Sequence, residues 1–121
     1  MSKKILAVDD DKDILEVIKI ILEDEGYEVA TKSNGEEMIS AITNLKPDLI
    51  LLDVMLGSTD GRDICRAIKD HSIFKFIPII MISASHNLKS LLKLPGSPND
   101  FLSKPFDIDS LISMVKSQIA A

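Results

Sequence analysis

Three short apolar runs, Ile5 to Val8, Leu49 to Leu52 and Ile79 to Ile82, constrain the fold of this chain more than any other feature. A strand with one wet face alternates apolar and polar residues, whereas these runs are unbroken, as strands covered on both faces are. Covering both faces of a sheet takes helices on either side, so the runs predict a parallel sheet. A fourth segment, Tyr27 to Thr31, alternates instead: Tyr27, Val29 and Thr31 on one face, Glu28 and Ala30 on the other, as an edge strand would.

The intervening segments have helical period. Ile14, Val17, Ile18, Ile21 and Leu22 form one stripe, which Gly26 ends where a C-terminal glycine is expected. A second helix should follow Ser33, Asn34 and Gly35, carry Met38, Ile39, Ile42 and Leu45 and stop before Pro47. A third spans about Arg62 to His71 with Ile64, Cys65 and Ile68 inward, and a last one follows Asp107 as N-cap with Ile108, Leu111, Ile112 and Val115 on one face. Between His86 and Ser97, Leu88, Leu91 and Leu92 are helix-like, but Pro95, Gly96 and Pro98 cut the segment short; the expectation is a short or irregular helix, then a brief strand around Phe101 and Leu102. Five β-α units imply right-handed crossovers, a three-layer α/β sandwich and a doubly wound five-stranded parallel sheet of order 2-1-3-4-5.

Composition narrows the function classes. The 121 residues suit one domain, 1–121, with 45% hydrophobic residues for a core and 27% charged residues for the surface. A net charge of -5 with scattered basic residues argues against nucleic acid as partner. No apolar run approaches the roughly 20 residues of a membrane span. The single cysteine, Cys65, cannot pair within the chain, and no secretory signal precedes the first strand, so a cytoplasmic setting is expected.

Ligands of such sheets bind beyond the carboxyl ends of the strands. Asp9 and Asp10 follow the first run, Asp53 the third strand, Ser83 the fourth, and Lys104 the fifth. Carboxylates gathered at one rim repel unless a cation neutralises them, and Mg²⁺, which takes one or two carboxylates and bridges to phosphate oxygens, suits that need. Asp53, coming off a central strand, could act as a carboxylate nucleophile toward phosphorus, Lys104 could meet the phosphoryl oxygens, and Ser83 could donate a hydroxyl hydrogen bond.

With these residues in place, the chain resembles a response-regulator receiver domain of two-component signalling, similar to the single-domain chemotaxis regulators. The likeness rests on Ile5-Leu6-Ala7-Val8-Asp9-Asp10-Asp11, Asp48 to Leu56 with Asp60-Gly61, Pro78 to Ala84, and Lys104-Pro105-Phe106, in that order along essentially the whole chain. It implies a flavodoxin-like fold and Asp53 as the phosphorylation site. Asp10, Asp53 and the Met55 carbonyl would then be direct Mg²⁺ ligands, with Asp9 acting mainly through water. It also implies Lys104 as the phosphoryl-binding cation, followed by a cis bond to Pro105. Ser83 would be the switch hydroxyl and Phe101 the aromatic that turns inward with it. The implied partners are a histidine kinase or phosphotransfer protein and a downstream protein target, met by a monomer or weak dimer in the cytoplasm. The sequence as given holds no effector domain, so action through protein contacts alone is expected of it, although a piece of a longer regulator would look the same.

Two departures stand out. Gly57 occupies a place where the family usually has proline, and 85–100 lacks the family's Gly-Ala pair and carries two prolines, which bears on partner recognition. Plainer readings exist for several residues: Asp11 as an N-cap, Cys65 as core, Ser83 as a strand-end hydroxyl, Phe101 as core, His71 as no ligand. His86, three residues after Ser83, could lie at the site mouth. Competing functions are an aspartyl phosphohydrolase, which would need a general acid where Met55 stands, a receiver-like scaffold that is never phosphorylated, and a flavin module, which the acidic Asp9-Asp10-Asp11 loop would repel.

Overall fold

A computed structural model describes residues 2–84 and 96–119. The three apolar runs become β1 (Lys4–Val8), β3 (Leu49–Asp53) and β6 (Ile79–Ser83), with β3 and β6 buried along their whole length. With β2 (Glu28–Lys32) and β7 (Asp100–Ser103) they form one parallel sheet of order β2-β1-β3-β6-β7. This is the expected 2-1-3-4-5 order, because two short strands, β4 (Met55–Leu56) and β5 (Thr59–Asp60), pair only with each other in a separate antiparallel hairpin. The runs and periods of the sequence carry no signal for that hairpin, whose strands are two residues each.

Helices α1 (Lys12–Asp24) and α4 (Ile108–Ile119) cover one face of the sheet, and α2 (Met38–Leu45) and α3 (Gly61–Asp70) the other. The continuous runs divide by alternation between two cores. Ile5, Ala7, Leu49, Leu51, Ile80 and Ile82 join Leu15, Ile18, Leu22, Leu111 and Val115, while Leu6, Val8, Ile50, Leu52, Ile79 and Met81 join Met38, Ile42, Cys65 and Ile68. A residue's neighbour in sequence therefore packs in the other layer.

Local signals explain the helix ends. Asp11 caps α1, its Oδ1 accepting from the N–H groups of Asp13 at 3.0 Å and Ile14 at 3.3 Å, and Gly26 leaves the helix at φ +96°. Asp107 accepts from the Ser110 N–H at 2.6 Å, capping α4 as expected. The α1 stripe needs one correction: Val17 is 49% exposed and Leu15 fills the core, because the helix turns a face centred on Leu15, Ile18 and Leu22 to the sheet. Ile39 and Ile108, also expected inward, are exposed. The expected irregular helix after His86 lies outside the described residues.

Candidate functional site

All five strands of the parallel sheet run the same way, so their carboxyl ends meet at one edge. The direction of winding reverses between β1 and β3, the place where such sheets bind ligands. Val8 and Leu52 are partners in register across that boundary, which sets Asp9, just past β1, beside Asp53, the last residue of β3. Both carboxylates are buried, at 1% and 3% exposure, whereas Asp10 is exposed. One oxygen from each of Asp9, Asp10 and Asp53 lies within 4.8 Å of the others.

Lys104 reaches this cluster from the loop after β7. Its Nζ stands 3.2 Å from Asp53 Oδ2, to which it donates a hydrogen bond, and 3.0 Å from Asp9 Oδ2. The lysine is aimed by its own main chain: its N–H donates to the Ser83 carbonyl at 2.8 Å, and the Lys104-Pro105 bond is cis, as the resemblance implied. Asp9 Oδ1 accepts from the Asp11 N–H at 2.9 Å, and Asp53 Oδ1 from the Met55 N–H at 3.3 Å. Asp10 Oδ2 accepts from the Gly57 N–H at 3.2 Å.

The electrostatics are unbalanced. Burial first and the neighbouring Asp9 second push the Asp53 carboxyl up to about 6, against the pull of Lys104 and the Met55 N–H. For Lys104, burial works against the charge, but hydrogen bonding and attraction from Asp9 and Asp53 outweigh it and hold the ammonium above its ordinary value. Carboxylates this close repel by about 3 kcal/mol per pair at an effective dielectric constant of about 20, so one lysine among three carboxylates leaves the rim short of positive charge. Asp9 Oδ2 is buried, and the Lys104 ammonium 3.0 Å away, which it shares with Asp53, is its one cationic partner among the described residues. An all-oxygen set of three carboxylates served by one lysine fits a hard divalent cation such as Mg²⁺.

The structure thus brings together Asp9, Asp10, Asp53 and Lys104. Ser83 ends β6, buried at 3% exposure, beside Ser103 in register, and Phe101 lies half-buried on β7 opposite Met81, packed against the α2/α3 core. Met55 sits at the start of the hairpin with its side chain 67% exposed. The plainer readings hold for Asp11, the α1 cap, and for Cys65, buried in the core with its thiol pushed up to about 11 by that burial. His71 stands at the end of α3, its Nδ1 accepting from the Ile73 and Phe74 N–H groups. His86 lies outside the described residues.

Sequence reasoning named Asp9 and the Asp60-Gly61 pair but missed two of their contacts. Asp9 shares Lys104 with Asp53, and Gly61 closes the hairpin onto β3: its N–H donates to the Val54 carbonyl at 2.7 Å, and a Cβ there would collide with the Asp53 carbonyl oxygen. The Asp60-Gly61 pair was the available signal for the second, since a glycine at a crowded strand exit marks close backbone approach.

Comparison with known proteins agrees with this geometry. The family model described as "Response regulator receiver domain" matches residues 5–116. The DNA-binding response regulator MtrA of Mycobacterium leprae is 34% identical over 98% of this chain and 52% of its own length. The alkaline phosphatase synthesis transcriptional regulatory protein PhoP of Bacillus subtilis is 38% identical over 100% of this chain and 52% of its own. The chain spans about half the length of these relatives. Among solved structures, a putative response regulator from Chloroflexus aurantiacus superposes with TM-score 0.90 at 32% identity, covering 100% of both chains. The chemotaxis protein CheY4 of Vibrio cholerae superposes with TM-score 0.86 at 31% identity, covering 97% of this chain and 98% of that one. A shared fold, a receiver model spanning nearly all of the sequence and carboxylates gathered at the rim where the winding reverses make this chain a member of the response regulator receiver domain family.

Proposed function

We propose that the chain is a phosphorylatable switch that accepts a phosphoryl group on Asp53 from a histidine kinase or phosphotransfer protein and passes the change to a downstream protein. The observation that carries this is Asp53 itself: a buried carboxylate at a strand end, pushed up to about 6, with a lysine ammonium 3.2 Å away and two further carboxylates beside it. An Asp53 oxygen forms the new bond to phosphorus as the bond from phosphorus to the donor's imidazole nitrogen breaks, and the donor histidine leaves neutral once protonated.

Each residue has a task. Lys104 holds its charge where phosphoryl oxygens would arrive and needs no reorganisation to meet them. Asp9, Asp10 and Asp53, with the Met55 carbonyl, would hold Mg²⁺, which when bound supplies the positive charge the rim lacks and a template for phosphoryl oxygens. Ser83, at the end of β6, would turn its hydroxyl toward the new charge, and Phe101, on the adjoining β7, would follow by repacking. Turnover of an external phosphate ester is not expected, because an exposed methionine stands where a phosphohydrolase would need its general acid. Among the described residues no helix is long and apolar enough to cross a membrane, and the lone buried Cys65 suits a reducing compartment; we assign the cytoplasm. The name DNA-binding belongs to relatives about twice as long as this chain, and at net charge -5 the partners of this domain are read as proteins, met by a monomer or weak dimer.

Incubation with acetyl phosphate and Mg²⁺ tests the assignment. Intact-mass measurement should show one added phosphoryl group on the wild type and none on Asp53→Asn. Labelling that persists in the variant would overturn it.

A further inference from the structure

We propose that Gly57 is a positioning residue for the metal site, its main-chain N–H holding the exposed Asp10 carboxylate in place before Mg²⁺ arrives. The geometry is that of one extended hairpin arm. Two N–H groups, two residues apart, fall on the same side of it and each finds a carboxylate: Met55 donates to Asp53 Oδ1 at 3.3 Å, and Gly57 to Asp10 Oδ2 at 3.2 Å. The arm is fixed at its foot, where Gly61 donates to the Val54 carbonyl, and at its tip, where Leu56 and Thr59 pair across the two-residue turn. Gly57 opens that turn at φ +63°, a conformation that the mirror-image hairpin turns require and that glycine adopts freely.

Asp10 is the member of the cluster that most needs such a partner. Asp9 and Asp53 are buried and held by neighbours, whereas Asp10 is exposed, and an exposed carboxylate must be immobilised when it takes a metal. Outer hydrogen bonds to ligating carboxylates remove that cost, and their loss commonly weakens metal binding about 10-fold to 100-fold. A proline at this place would have no N–H to give and could not take a φ of +63°.

The inference rests on the reading of the rim as a Mg²⁺ site, and a titration separates the two. Binding of Mg²⁺ alone to the unphosphorylated protein is measured by calorimetry for wild type, Gly57→Asn and Gly57→Pro. Asparagine keeps the N–H, tolerates the left-handed φ of +63° better than other side chains, and its Cβ would meet nothing within 4 Å, so this variant should bind within a few-fold of wild type. The proline variant should bind about 10-fold more weakly or worse. Equal affinity in all three overturns the role of Gly57 and leaves the metal site standing; a wild type that binds no Mg²⁺ overturns both. Should the proline variant fail to fold, amide exchange by NMR in metal-free buffer decides: the Gly57 N–H should exchange several-fold faster in Asp10→Ala than in wild type, and unchanged exchange overturns the proposal.

Discussion

Asp53 is buried between a like charge and an opposite one, and the sign of the outcome can be worked out. Its carboxyl rises from the ordinary 3.8 to about 6, through burial first and Asp9 second. Between those values the unfolded chain has already released the proton that the folded chain still holds, so stability falls as pH rises through this window and stays reduced above it. A shift of about two units is worth about 3 kcal/mol with the attraction of Lys104 already counted in it, but an asparagine amide offsets part of that gain, because its NH2 donors have no acceptor where the carboxylate faced Lys104 and the Met55 N–H. Asp53→Asn should therefore be more stable than wild type by about 1 kcal/mol at pH 7 in the presence of a chelator, a melting temperature about 4 °C higher. The gap should close as pH falls toward 4. Thermal melts across that range check it; a variant less stable than wild type at pH 7 would mean that the lysine pair outweighs burial. At this scale Asp9, Asp53 and Lys104 were legible by position, the two aspartates directly after unbroken apolar runs and Lys104 just past the brief strand of Phe101 and Leu102, since a polar residue beyond a buried strand marks the rim. The link from Asp9 to Lys104 was not, since 95 residues separate them in the chain and only the sheet order brings them within 3.0 Å.

Among the elements, β1, β3 and β6 could be read directly because continuous burial leaves an unbroken apolar signature, whereas the hairpin of β4 and β5 could not. Its strands are two residues each, too short for any periodicity, and its turn residues Gly57-Ser58 are also plain loop residues. Helix faces were read with smaller errors. In α1 nearly every position from Ile14 to Leu22 that is not charged is apolar, so the stripe is wide, and the choice of Leu15 over Val17 depends on how the helix docks on β1 and β2. The hairpin has the sharper consequence. Its return to β3 requires that Gly61 lie against the Asp53 main chain, where no Cβ can be accommodated without moving backbone. Gly61→Ala should cost about 3 kcal/mol, as overpacking against rigid backbone does, and should weaken labelling of Asp53 by acetyl phosphate as well. Urea unfolding and intact-mass labelling measure the two effects. A variant as stable as wild type would show that the hairpin can leave β3 without loss.

The whole molecule has two cores, one on each face, and every central strand contributes alternate residues to both. Ile18 belongs to the α1/α4 core and Ile68 to the α2/α3 core, each at 1% exposure or less. Truncating either to alanine should cost about 3 kcal/mol from lost burial and the cavity left behind. The two side chains lie on opposite sides of the sheet and share no core partners, so the double variant should lose the sum to within about 0.5 kcal/mol. The unfolding itself should nonetheless remain a single transition. Neither core can open without exposing one face of β1, β3 and β6, and the residues of the other face are their immediate neighbours in the same strands. Tyr27, the only tyrosine in a chain without tryptophan, packs against the α1/α4 core and reports on that side by fluorescence, while far-ultraviolet circular dichroism reports on all layers. In Ile68→Ala the two signals should coincide in urea even though the substitution lies on the face away from Tyr27. Separate midpoints would mean that the layers unfold independently. Coincident midpoints would mean that the two layers unfold as one cooperative unit, joined through the strands β1, β3 and β6 that both cores share.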